Sequence, residues 1–165
     1  MKKSLIVLIS IVALLVIIIG YGISINNKMV NADEAVMSQW AKVENQYQRR
    51  ADLIPNLVNT VKGYASHEKE TLDAVVNARA KATQVTISPD NLNEASLQKY
   101  QAAQGELSQA LGRLLMVTEN YPDLKANQNF LELQAQLEGT ENRISTERTR
   151  YTDMVRDYNA MIRRF

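Results

Sequence analysis

The chain has one histidine, His67, and it stands between Ser66 and Glu68. Those three types could supply a nucleophile, a base and a carboxylate. On a helix, adjacent residues point about 100° apart, so Ser66 and His67 do not form a hydrogen-bonded pair. A metal site would need further ligands. There is no second histidine and no cysteine, and no helix carries a Glu-x-x-His pattern. No stretch sets two glycines beside Lys-Ser or Lys-Thr, which a phosphate loop needs. The residues therefore give no catalytic group, no cofactor site and no metal site. Arg49 and Arg50 with Asp52 carry a different chemistry. Paired guanidinium groups can bind a carboxylate of a partner or a lipid phosphate, or can pair with Asp52. The arginines near the C-terminus, from Arg143 to Arg164, alternate with Glu141, Glu147, Asp153 and Asp157 and read as a solvated ion-pair face.

The elements that would position these residues are all helical. Val36, Trp40, Val43 and Tyr47 repeat at helical gaps and form one stripe of a helix over about 29–50. Leu53, Leu57, Val61 and Tyr64 form another, on a helix that continues to about Ala82. Asp52 is suited to cap that helix, with Pro55 in its first turn, where no N–H is needed. The two stripes fit two helices or one helix kinked at Pro55, and the sequence leaves both open. Val85-Thr86-Ile87-Ser88-Pro89 stops the helix, because β-branched residues followed by proline disfavour its continuation.

A third helix is expected over about 91–119. Leu97, Tyr100, Gln104, Leu107, Leu111, Leu114, Thr118 and Tyr121 alternate gaps of three and four, which is a heptad seam. Pro122 closes it. A fourth helix runs from about Ala126 to the end. There Phe130, Leu137, Ile144, Tyr151, Tyr158 and Phe165 recur every seven residues, with Leu133, Met154 and Met161 in a second row. The short joints at 87–90 and 121–125 make consecutive helices antiparallel neighbours. Gly63, Gly105, Gly112 and Gly139 fall inside these helices. They mark either tolerated weak points or close helix approaches. Trp40 is expected in the core rather than at a membrane surface.

Ahead of these helices, Ser4 to Asn27 carries no charge. That length suits a membrane-spanning helix of about 20 residues better than a signal peptide, whose apolar core is usually about 7–15. The chain divides on this reading into an anchor, 1–28, and a helical domain, 29–165. Lys2, Lys3 and the terminal amine outweigh Lys28 across the span. The positive-inside rule then puts the N-terminus in the cytoplasm and the bundle outside it. The fold class is all-α: one N-terminal transmembrane helix followed by an elongated antiparallel helical bundle. Net charge is +1, and the chain beyond the anchor is slightly acidic. Nucleic acid is excluded as a partner, since it demands a basic face. The absence of cysteine excludes disulfides and thiolate zinc.

Arg49-Arg50-Ala51-Asp52-Leu53-Ile54-Pro55-Asn56-Leu57-Val58 and Val61-Lys62-Gly63-Tyr64-Ala65-Ser66-His67-Glu68 resemble the signature of the LemA family of bacterial membrane proteins. Tyr121-Pro122-Asp123-Leu124-Lys125-Ala126-Asn127, Leu137-Glu138-Gly139-Thr140-Glu141-Asn142-Arg143-Ile144 and Tyr158-Asn159 extend the resemblance over nearly the whole chain. The resemblance implies one N-terminal membrane segment and a helical bundle. It also implies a short further segment with Pro and Phe beyond Phe165, which this sequence lacks. It brings no enzymatic activity with it.

Two functions are compatible with these features. The first is a membrane-anchored, non-enzymatic scaffold that self-assembles as a homo-oligomer on the lipid bilayer. The second is an accessory subunit of a membrane protease or hydrolase. The surface expected to meet another protomer or a second membrane protein comprises Arg49, Arg50, Asp52, Asn56, Lys62, Tyr64, His67 and Glu68.

Overall fold

The computed structural model describes residues 2–87 and 91–164, without the side chains of 2–5. Pro89, expected to stop the second helix, and Phe165, the last member of the seven-residue repeat, lie outside the described residues, as do the side chains of Lys2 and Lys3. Among the described residues there is no strand. The helices are α1 (Lys2–Tyr64), α2 (Lys69–Gln84), α3 (Glu94–Thr118), the single turn α4 (Pro122–Lys125) and α5 (Gln128–Ile162). By compactness the chain divides into residues 41–148 and a second unit made of 1–40 with 149–165.

Within residues 41–148, α1 after Trp40, α2, α3 and the first part of α5 form an up-down-up-down four-helix bundle. Each direction follows from specific contacts. Arg79 of α2 reaches Ala51 of α1, so those helices are a hairpin closed by residues 65–68. Lys81 meets Glu106, and Ala74 faces Arg113 across a groove, so α3 runs back along α2. Arg50 meets Glu141 and Tyr64 meets Asn127, so α5 descends as α1 rises. The core joins Ile54, Leu57 and Val61 of α1 to Leu72 and Val75 of α2, Leu107, Leu111 and Leu114 of α3, and Phe130 and Leu137 of α5. Each such side chain, fully buried, is worth roughly 1.5–3 kcal/mol. The α3 seam is placed as its spacing predicts: Tyr100, Gln104, Leu107, Leu111, Leu114 and Thr118 are buried, with Leu97 and Tyr121 half-buried at its ends.

Several boundaries differ from the sequence expectation. No helix starts at Asp52. α1 passes through Pro55 without interruption, and Asp52 is an exposed mid-helix residue whose carboxylate accepts a hydrogen bond from Gln48 at 2.8 Å. Val36, Trp40, Val43, Tyr47, Arg50, Ile54, Leu57 and Val61 are all buried and alternate gaps of four and three. The two stripes are thus one, joined by an arginine in a core position. The true break comes later, at residues 65–68, in a segment that reads as continuous helix by periodicity. There Ala65 is buried beside Val61 while Tyr64, expected on the apolar face, is exposed.

The starts of α3 and α5 are set by side-chain caps. Asn93 accepts a hydrogen bond from the Ser96 backbone N–H, and the Ser96 hydroxyl accepts one from the Asn93 N–H, a capping box that opens α3. Pro122 does more than end α3. It occupies the first turn of α4, whose Leu124 is fully buried. Asn127 then caps α5 by accepting from the Phe130 N–H at 3.0 Å. A Cβ built at Gly63, Gly105, Gly112 or Gly139 meets nothing within 4 Å. The close-approach reading of these glycines is therefore set aside, and they are weak points the bundle tolerates.

In the second unit, Val36 and Trp40 of α1 are buried, and the Trp40 ring packs on Tyr151 of α5 with centroids 5.2 Å apart. Trp40 is a packing residue, as its spacing predicts. From Ile6 to Ile23 the large apolar side chains are all exposed. This part of α1 is long and apolar enough to cross a bilayer and is a candidate membrane anchor.

Candidate functional site

Arg50 is the most completely buried charged residue described, with 1 % of its surface exposed. Its seam position on α1 turns it inward between α3 and α5. Nη1 donates to the Ser108 hydroxyl at 2.6 Å and to Glu141 Oε1 at 2.7 Å. Nη2 donates to the Gln104 side-chain oxygen at 2.6 Å and to its backbone carbonyl at 3.1 Å. The guanidinium also lies over the Tyr47 ring, 5.1 Å from its centroid, within cation–π range. Gln104 in turn donates to the Ala82 carbonyl at 3.4 Å, which brings α2 into the same node. One arginine thus ties four helices together. The Nε atom has no partner, so the node is not fully satisfied.

Two phenols line this node. Tyr47 and Tyr100 meet edge to face at 5.4 Å. Both are held above the ordinary phenol value, chiefly because burial disfavours the phenolate. Glu44 adds to the rise at Tyr100, while Arg148 and Arg50 partly offset it at Tyr47. A cleft of about 260 Å³ between Tyr47, Gln48, Thr83 and Tyr100 is where the node meets solvent.

A turn further along α1, Pro55 lacks the N–H that would bond the carbonyl of Ala51. Arg79 of α2 supplies the missing donor: its Nε reaches the Ala51 oxygen at 2.7 Å. An intramolecular repair of this kind explains why the proline neither ends α1 nor leaves a buried acceptor unpaired.

The remaining predicted surface residues scatter around α1 and its terminal turn. Arg49, Asp52, Asn56, Lys62, Tyr64 and His67 are exposed, and Glu68 is half-buried. Arg50 does not belong with them. Adjacency in sequence groups it with Arg49, but a step of one residue turns a helix by about 100° and carries Arg50 into the core. The turn after α1 lies against the corner between α3 and α5. Tyr121 donates its hydroxyl hydrogen to Glu68 Oε1 at 2.9 Å, and Asn127 donates to the Tyr64 hydroxyl at 2.9 Å. The Glu68 hydrogen bond is also the main reason the Tyr121 phenol is raised. Ser66 and His67 stand exposed on this turn. Among the described residues, no three His, Cys, Asp or Glu side chains are arranged to hold a metal ion. Asn56 lines a groove of about 370 Å³ between α1 and α5, with Asn59, Thr60, Asn129, Glu132 and Gln136 around it.

Sequence reasoning missed Arg79, Ser108 and Glu141 as partners. The unbroken alternation from Val36 to Val61 was the available signal for Arg50 itself. No local pattern announces Arg79, because its role depends on a proline on another helix.

The motif residues singled out by type thus make a network of internal contacts plus one exposed turn. A family model described as the LemA family matches residues 39–165. A relative named Protein LemA, from Metamycoplasma hominis, is 21% identical over 139 residues, covering 84% of this chain. The chain spans about 60% of that relative's length. With the family match covering the whole bundle and the fold agreeing with it, the chain belongs to the LemA family.

Proposed function

We propose that the protein is a membrane-anchored, non-enzymatic scaffold that self-assembles at the bilayer. One observation carries this reading. The apolar repeat of α5 continues past Ile144, but Tyr151, Val155, Tyr158 and Met161 are only half-covered, and Met154 and Ile162 are 37% and 40% exposed. An apolar helical stripe with one neighbouring helix wants a second, and another copy offers the same stripe. The candidate anchor would hold copies in one orientation and raise their local concentration. The N-terminus is assigned to the cytoplasm and the bundle to the far side, on the Lys2–Lys3 asymmetry. Native mass spectrometry of the full chain in mild detergent tests assembly. Oligomers at micromolar concentration are expected. A clean monomer contradicts the scaffold. Thr86→Cys with an impermeant thiol reagent on intact cells tests orientation, since the chain has no cysteine of its own. Labelling before lysis is expected, and labelling only after lysis reverses the assignment.

The groove around Asn56 supports a second reading, an accessory subunit of a membrane protease or hydrolase. Its carboxamides can pair with the backbone of a bound segment. Affinity capture from membranes separates the two: the scaffold retrieves itself, whereas the adaptor retrieves a stoichiometric second protein that Asn56→Leu and Gln136→Leu release.

A further inference from the structure

The unit formed by 1–40 and 149–165 brings together charges that are far apart in sequence. Trp40 and Tyr151 are in ring contact, on helices that run in opposite directions. From Trp40 back to Lys28 and from Tyr151 forward to Arg163 are equal steps, roughly twelve residues or 18 Å of helix. Straight antiparallel packing from that contact would set Lys28 level with Arg163 and Arg164, which directly follow the end of α5 at Ile162. Lys28 is also the first charged residue after the uncharged run that ends at Asn27. All three bases are exposed. Among the described residues, none of them lies within salt-bridge distance of a carboxylate, whereas Arg156 is held by Asp153 at 2.9 Å and by Asp157 at 3.3 Å. The Arg163 Nε donates to the Asn159 carbonyl at 3.0 Å, which holds the guanidinium against the end of α5.

We propose that Lys28, Arg163 and Arg164 form a basic collar that binds the phosphate groups of anionic lipids where α1 leaves the bilayer. The collar rests on the reading of residues 4–27 as a membrane span. Given that span, the three bases stand at headgroup depth, where anionic phosphates are concentrated and guanidinium groups pair with them in two-pronged fashion. Such contact would fasten the last turns of α5 to the membrane surface.

The test uses the full chain in lipid nanodiscs, with hydrogen exchange read over residues 149–162. Phosphatidylcholine discs are compared with discs that also contain phosphatidylglycerol. Anionic lipid is expected to slow exchange there several-fold and to leave 51–140 unchanged. Lys28→Gln with Arg163→Gln and Arg164→Gln is expected to abolish most of that gain while the chain still inserts. Equal exchange in both lipids overturns the collar, as does a gain that survives in the triple variant. Inorganic phosphate that produces the same slowing in phosphatidylcholine discs overturns the assignment to lipid. A chain that elutes apart from the discs overturns the anchor reading and the collar with it, and is distinguished from the other outcomes by that elution.

Discussion

α5 carries one seven-residue pattern along its length, yet its two parts differ in how that pattern is used. In residues 128–148, Phe130, Leu137, Thr140 and Ile144 are buried in a four-helix core. In residues 149–162, Tyr151, Met154, Val155, Tyr158, Met161 and Ile162 keep the spacing but remain half-covered or exposed. The pattern states which face is apolar. It does not state how many helices stand against that face. The four-helix bundle closes the first part, and a single neighbouring helix leaves the second part available.

The comparison can be broken by aspartate substitutions, which carry the largest expected effect. Leu107→Asp or Ile144→Asp buries a carboxylate in the covered part and should cost at least about 4 kcal/mol, unfolding the bundle. Met161→Asp should leave the thermal midpoint nearly unchanged. Equal losses at Ile144 and Met161, followed by circular dichroism, would mean that the two parts are equally covered.

A second test treats Arg50 as a core residue. Arg50→Ala removes the partner of Gln104, Ser108 and Glu141 and should cost roughly 3–5 kcal/mol. Arg50→Met, which keeps the packing, should cost much less. If both variants melt like the natural chain, the node contributes nothing to stability.

A third concerns the repair at Pro55. Arg79→Met leaves the Ala51 carbonyl without a donor and should cost about 1–3 kcal/mol. In a Pro55→Ala background the helix supplies its own N–H, so the same change should cost about 1 kcal/mol less. Additive effects in that double-mutant cycle would separate the two residues.

Smaller effects come from the phenols and glycines. Tyr47, Tyr100 and Tyr151 are held above their ordinary value, mainly by burial. For a group raised in the folded state, the stabilisation is complete below the unfolded pKa. It is lost as pH rises through about 10 towards the folded values. Stability should therefore be flat near neutrality and fall in alkali, and Tyr100→Phe should flatten part of that fall. An unchanged alkaline profile would remove Tyr100 from the linkage. Gly112→Ala should stabilise by about 0.5–1 kcal/mol, since its Cβ meets nothing. A loss of stability there would restore a close helix approach.

Most of the fold was legible because apolar spacing is a local signal. The α3 seam from Tyr100 to Thr118 and the stripe from Val36 to Tyr47 needed only their own helix to be read. Arg50 broke that reading because a charge in a seam position looks like the end of a stripe. Its inward placement depends on Gln104, Ser108 and Glu141, which lie on other helices. Pro55 misled for a related reason: a proline marks a helix start unless a distant donor such as Arg79 mends the interior. The turn at residues 65–68 has no proline and no capping side chain at Glu68, so nothing local marks it. Of the residues grouped as a candidate surface, Arg49, Asp52, Asn56, Lys62, Tyr64 and His67 are exposed, Glu68 is half-buried and Arg50 is buried. Arg163 and Arg164 lie far from the span in sequence, so nothing local groups them with Lys28.

The central claim is that the uncovered stripe of α5 meets a second copy of the chain. The most direct measurement is native mass spectrometry of the full chain, anchor included, beside Met154→Asp with Ile162→Asp. The scaffold account expects oligomers for the natural sequence and monomers for the double variant, with equal helical content. A natural chain that is monomeric at micromolar concentration, or a double variant that assembles unchanged, would contradict it.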